Sequence, residues 1–253
     1  MMRVALQPAY VLHSRPYRDS SALVEMFTAE HGRLSLVARG ARNRGRKGSL
    51  SSLLQPFIPL LISFSGRAEL KTLGKLEAAG GGRTLRGERL YSGLYLNELL
   101  VRLLHRQDAH PRLFAAYGEA LDGIAGDPEV DVVLRRFELR LLDDLGYSVN
   151  LAFAGDSGDP VEADMHYCYH PGTGLVEVAS QDVTGREVYA GADLLAFARG
   201  EYSRTVRSAA KRLLREALSE HLGGMPLHSR ELFRGAGRAS SGGGRAARPG
   251  EAP

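Results

Sequence analysis

Between residues 9 and 78 the apolar side chains keep the period of extended chain, and turn residues cut the stretch into five pieces. Residues 9–15 and 20–28 are short, rich in β-branched and aromatic side chains, and separated by Pro16 and polar residues, which predicts a hairpin. After a turn at Glu30-His31-Gly32, residues 33–39 alternate: Leu34, Leu36 and Ala38 on one face, Arg33, Ser35, Val37 and Arg39 on the other. Residues 57–64 are almost continuously apolar, and Pro59 places that strand near an edge or a bulge because it cannot donate to a ladder. Beyond Ser65-Gly66-Arg67, residues 68–78 alternate again, with Lys71, Leu73 and Lys75 on one face and Leu70, Thr72 and Leu76 on the other.

Five strands with a long connection between the third and fourth predict a five-stranded, partly open barrel of oligonucleotide-binding (OB) type. An SH3-like barrel has the same strand count. The long connection is R-G-A-R-N-R-G-R-K-G-S (39–49), in which five cations, Arg39, Arg42, Arg44, Arg46 and Lys47, fall in nine residues with no acid among them. Charge is divided unevenly along the chain. Residues 1–80 hold 12 Lys and Arg against 5 Asp and Glu, residues 81–233 hold 17 against 23, and residues 234–253 hold 4 against 1. A cationic barrel joined to an acidic body points to a polyanion-binding module with a second set of partners. The phosphate contacts expected on this reading are Arg15, Arg33, Arg39, Arg42, Arg44, Arg46, Lys47, Lys71 and Lys75. Tyr10, Tyr17 and Phe64 are aromatics that could stack on bases, though a barrel core is the default home for Phe64.

At Gly80-Gly81-Gly82 the period changes to that of helices. Helices are predicted over 88–106, from Pro111 to about Ala125, and to Gly146 after an Asp127-Pro128 start. Two more follow at about 190–198 and 203–222. Residues 151–188 are polar and rich in Gly, Asp and Pro, with two short extended pieces, and read as a β-containing insertion. The fold class is therefore α+β: an OB-fold barrel over 1–80, a helical domain over 81–233 carrying the 151–188 insertion, and a Gly/Arg-rich tail over 234–253 expected to be disordered.

Signals for catalysis are weak. Gly40 and Gly45 have phosphate-loop spacing, but Arg46 occupies the lysine position and the sequel leads into a strand rather than a helix. His166, Cys168 and His170 would share one strand face, yet lack the paired C-x2-C knuckles of structural zinc sites. A single cysteine excludes an intrachain disulfide framework and fits a reducing cytosol. No apolar run approaches the roughly 20 residues that span a bilayer, and the N-terminus has no secretory h-region. The expectation is a cytoplasmic protein with no metal, no cofactor and no active site. A competing reading is a protein–protein adaptor whose basic loop is incidental. The cations of 204–215 read equally well as a second nucleic-acid face or as a solvated face.

Six motifs occur in order: Y-V-L-H-S-R-P-Y-R-D-S-S (10–21), V-A-R-G-A-R (37–42), L-Q-P-F-I-P-L (54–60), L-Y-S-G-L-Y-L-N-E-L-L (90–100), L-R-R-F-E-L-R-L-L-D-D-L-G-Y (134–147) and P-L-H-S-R-E-L-F (226–233). In these the chain resembles the RecO family of bacterial DNA repair and recombination-mediator proteins. The resemblance implies binding of single- and double-stranded DNA and annealing of complementary strands. It implies work with RecR in loading RecA onto DNA coated by single-stranded DNA-binding protein (SSB). It also implies capture of the acidic, Phe-ending C-terminal tail of SSB on the helical domain, for which Arg135 or Arg136 is the expected contact. Some family members bind zinc through four cysteines in the insertion; here only Cys168 is present. The tail after Arg234 lies outside the family pattern.

Overall fold

The computed structural model describes residues 3–42, 50–179 and 185–233. Strands β1 (Arg3–Tyr17), β2 (Ser21–Thr28), β3 (Gly32–Ala38), β4 (Leu60–Ser65) and β5 (Leu70–Ala78) form a closed barrel in the order β1-β2-β3-β5-β4. A one-turn helix, α1 (Leu50–Leu53), precedes β4. All neighbours are antiparallel except β3 and β5, which run parallel. This crossover distinguishes the OB order from an SH3-like meander. Val11, Val24, Met26, Leu36 and Ile62 are fully buried inside, each contributing roughly 1.5–3 kcal/mol of transfer free energy.

Two features of the barrel differ from the sequence reading. β1 begins at Arg3, because a bulge between Val4 and Gln7 lets the chain pair with β4 across Pro8. β4 begins only at Leu60. Phe57 takes a left-handed conformation (φ 68°) and buries its ring against the helical domain, so 57–59 lead into the strand without belonging to it.

The helical domain comprises α2 (Glu88–Leu103), α3 (Pro111–Gly126), α4 (Val130–Asp144), then a small sheet, then α5 (Gly191–Ala198) and α6 (Arg204–His221). Asp127 caps nothing inside α4; its Oδ1 accepts from the Glu129 N–H at 2.7 Å, and Pro128 stays outside the helix. The sheet is β6 (His166–His170), β7 (Gly174–Glu177) and β8 (Tyr189–Ala190) in the order β7-β6-β8. Its Tyr167, Leu175 and Tyr189 are fully buried in the same core as α5 and α6, so the insertion is an integral part of the domain. Cys168 is buried and unpaired. His166 is exposed and the His170 Nε2 lies 2.7 Å from Arg186. Among the described residues no group of His, Cys, Asp and Glu is arranged to hold a metal ion, and no helix is long and apolar enough to cross a membrane.

One side of the barrel is fused to the helices. Tyr10, Leu12, Phe27 and Phe57 join Leu99, Leu113 and Tyr117 in a single core. Asn97 Nδ2 donates to the Leu12 carbonyl (3.0 Å), and the Tyr117 hydroxyl donates to Asn97 Oδ1 (2.5 Å). Burial raises the Tyr117 pKa, which keeps that hydroxyl a donor. Gly32 (φ 60°) lies so close to the 104–108 loop that a Cβ there would stand 1.7 Å from the Asp108 carbonyl oxygen, and the Gln107 N–H donates to the Arg33 carbonyl at 2.9 Å. The segment between the domains is also tied down: Arg83 bonds the Phe57 carbonyl through its backbone and Asp122 through Nε (2.5 Å). This packing buries Thr28 and Gly32 beside the β2–β3 turn, whereas at the opposite end of the barrel Arg15, Arg18, Asp19, Arg39 and Arg42 stay exposed among the described residues.

Candidate nucleic-acid interface

The free end is built by the β1–β2 turn and the chain leaving β3. Register places Tyr17 opposite Ser21 and Ala22 opposite Ala38, so the end of β1, the start of β2 and the end of β3 lie together. Beyond β3 the Arg42 N–H donates to the Ser20 carbonyl (3.0 Å), tying the basic connection to the hairpin turn. Arg15, Arg18, Arg39 and Arg42 are all exposed here, and Asp19 is the acid in the turn. Because β5 runs parallel to β3, its later half carries exposed Lys75 toward the same end. Arg44, Arg46 and Lys47 fall within 43–49, outside the described residues.

Two of the expected phosphate contacts are elsewhere. Lys71 is buried, 3% exposed, and its Nζ donates to Gln107 Oε1 (2.8 Å) and the Ala68 carbonyl (3.1 Å). Lys71 shares the inward face of β5 with Leu73, whereas beyond them Leu73 faces Phe64 and Leu76 faces Ile62, so Gly74 and Lys75 together oppose one residue of β4. That bulge breaks the alternation and separates Lys75 from the inward-facing pair Lys71 and Leu73. Arg33 lies at the start of β3, against the helices. Its Nε donates to the Leu104 carbonyl (3.1 Å) and its Nη1 pairs with Glu25 (3.2 Å). Burial lowers the Arg33 pKa and Glu25 opposes that shift. Arg33 is a junction residue. Arg18, not singled out from the sequence, joins the set instead.

Arg135 and Arg136 face different places. Arg135 is 8% exposed and pairs through Nη2 with the fully buried Glu138 (2.8 Å), which also accepts from the Tyr95 hydroxyl (2.6 Å). Burial raises the Glu138 pKa against the opposing pull of Arg135 and Tyr95. Arg135 lines a groove of about 900 Å³, bordered by Leu134, Phe233, Lys211, Arg215 and Arg230. Arg136 lies over the Tyr202 ring, 5.3 Å from its centroid, and lines a separate cleft. The groove's far wall is the 226–233 segment, which α2 holds in place. Glu98 accepts from the His228 N–H, the Ser229 N–H and the Ser229 hydroxyl (2.8, 2.8 and 2.6 Å). Arg102 donates to the carbonyls of Leu222, Met225 and Pro226. Sequence reading did not connect L-N-E-L-L with P-L-H-S-R-E-L-F; the i, i+4 pair Glu98 and Arg102 is the signal that joins them.

A closed five-stranded barrel in OB order, cationic at its free end and fused on one side to a helical domain, defines an oligonucleotide-binding-fold protein of two-part build. The family models described as recombination protein O N terminal and recombination protein O C terminal match residues 2–81 and 85–231. Among curated relatives, the DNA repair protein RecO of Stutzerimonas stutzeri is 47% identical over 233 residues, covering 90% of this chain and 92% of that protein. That of Nitrosococcus oceani is 47% identical over 233 residues, covering 92% and 94%. That of Pseudomonas aeruginosa is 46% identical over 234 residues, covering 92% and 96%. The chain belongs to the RecO family.

Proposed function

We propose that this chain is a DNA repair and recombination mediator. It binds single- and double-stranded DNA at the basic end of its barrel and anneals complementary strands without covalent chemistry. With RecR it promotes loading of RecA onto SSB-coated DNA, working in the cytoplasm at the nucleoid. The observation that carries this reading is the convergence of exposed Arg15, Arg18, Arg39 and Arg42 on the end of the barrel that the helices leave uncovered. Guanidinium groups on a phosphate backbone release condensed counterions, so each contact adds about 0.9 to the salt slope for duplex and about 0.7 for single strands. A shallow cationic surface neutralises the repulsion between two strands while leaving base edges free to pair. The step needs no cofactor, metal or catalytic residue.

The groove over α4 and α6 suits an acidic peptide with an apolar end, the chemistry of the SSB tail. Lys211 and Arg215 are exposed at its edge, and the half-buried Phe233 offers apolar surface. Arg135, engaged by Glu138, forms part of its wall.

The test is DNA affinity across a salt series for wild type and for a variant with Arg15→Ala, Arg18→Ala and Arg42→Ala. The proposal expects a steep slope in wild type that falls by about 2 on single strands in the variant. Shallow salt dependence and no strand annealing in wild type would instead support the adaptor reading.

A further inference from the structure

We infer that Tyr17 is a base-stacking residue through which the basic end of the barrel engages unpaired nucleotides; the inference rests on the DNA-binding reading above. Three aromatics near the barrel surface were candidates, and the structure removes two. Tyr10 is 7% exposed and packs on Phe114 and Tyr117 in the interdomain core. Phe64 is 2% exposed and lies against His31. Tyr17 alone stays partly open, and it stands at the end of β1, amid the cations.

Its surroundings are shaped for a flat ligand. The Arg18 guanidinium lies over the Tyr17 ring, 5.2 Å from the centroid, and backs one face of the ring with a planar cation. Arg18 reaches this position in a left-handed backbone conformation (φ 52°), which residues other than glycine rarely adopt. The turn is held from outside by the Arg42 N–H on the Ser20 carbonyl, and Arg42 Nη1 lies 3.5 Å from the Arg18 carbonyl oxygen. The ring and the turn are therefore tied to Arg42, one of the cations of this end.

The chemistry selects the ligand. Any base offers a π-face, so stacking is indifferent to sequence. In a duplex those faces are covered by neighbouring pairs; in a single strand they are available. Cations serve both forms of DNA, whereas an aromatic platform serves only the unpaired one.

The chain contains no tryptophan, so Tyr17→Trp places a sole indole at the proposed contact. Wild type, Tyr17→Ala, Tyr17→Phe and Tyr17→Trp are titrated with an oligothymidylate and with a duplex of equal phosphate number. Tyr17→Ala is expected to bind the single strand about tenfold more weakly with an unchanged salt slope, and the duplex as wild type does. Tyr17→Phe keeps both affinities. The Tyr17→Trp emission is quenched by the single strand and not by the duplex. Equal losses on both DNAs, wild-type single-strand affinity in Tyr17→Ala, or emission unmoved at saturation would each overturn the inference while leaving DNA binding in place. A wild type that binds neither DNA overturns the DNA-binding reading and this inference with it.

Discussion

Replacing Lys71 with methionine separates a cation that holds the fold from one that holds DNA. Methionine keeps the unbranched chain in its buried slot and deletes only the ammonium, which donates to Gln107 Oε1 and the Ala68 carbonyl. Charge-assisted hydrogen bonds are worth about 1.5–3 kcal/mol each when fully buried. Gln107 and Ala68 are exposed, so water replaces the lost donor on the acceptor side. The net loss for the two bonds is therefore about 1–2 kcal/mol. For a chain of this size 1 kcal/mol lowers Tm by about 2–4 °C, so Lys71→Met is expected to melt roughly 5 °C below wild type. Its salt slope on single-stranded DNA should stay as in wild type. Arg42→Met, at an exposed site, should do the reverse: an unchanged Tm and a slope smaller by about 0.7. Thermal unfolding followed by circular dichroism, with fluorescence anisotropy across a salt series, reads both quantities. A Lys71→Met protein with unchanged Tm and a slope reduced by about 0.7 would refute the reasoning.

Three further outcomes follow from the same geometry. Gly32→Ala combines a left-handed backbone with a Cβ driven into the Asp108 carbonyl; it should cost about 3 kcal/mol or more, seen as a lower urea midpoint with an unchanged m-value. Burial opposes the Glu98 charge, but its hydrogen bonds from Ser229 and His228 outweigh that and hold its pKa below the usual carboxylate range. The stability it contributes is thus present above the unfolded value of about 4.3 and lost as pH falls through the lowered folded value; Glu98→Gln should be less stable than wild type by about 1–2 kcal/mol at pH 7, a gap that closes in acid unfolding series. Lys211→Glu with Arg215→Glu should weaken binding of an acidic, Phe-ending peptide at least tenfold by calorimetry, whereas Arg136→Glu, in the other cleft, should leave it unchanged.

Much of this architecture is written in local pattern. The alternation of residues 33–39 and the breaks at Gly80–Gly82, Pro111 and Asp127-Pro128 mark strand, linker and helices, because side-chain period and turn chemistry are properties of the chain itself. What local pattern does not carry is register and long-range pairing. Lys71 and Lys75 read as neighbours on one strand face, but Lys71 shares the inward face with Leu73 and the bulge at Gly74-Lys75 turns only Lys75 outward. Arg33 looks like the partner of Arg39 on one strand face, but its place at the junction is decided by the 104–108 loop, where the Leu104 carbonyl that it bonds lies 71 residues on. The polar run of 151–188 hides buried side chains such as Tyr167 and Leu175, which share one core with Tyr189 and with residues of α5 and α6. Arg135 and Arg136 are adjacent in sequence, and the helical turn of about 100° per residue sends them to different clefts beside α4.

The central claim is that a cationic barrel end brings two DNA strands together without chemical turnover. It is tested most directly by coating two complementary oligonucleotides with SSB and measuring their annealing in the absence of nucleotide, for wild type and for the variant with Arg15→Ala, Arg18→Ala and Arg42→Ala. The account predicts rapid, salt-sensitive annealing by wild type and a slow, salt-insensitive reaction by the variant. Annealing by wild type no faster than that of the coated strands alone, or a variant as fast as wild type, would contradict it.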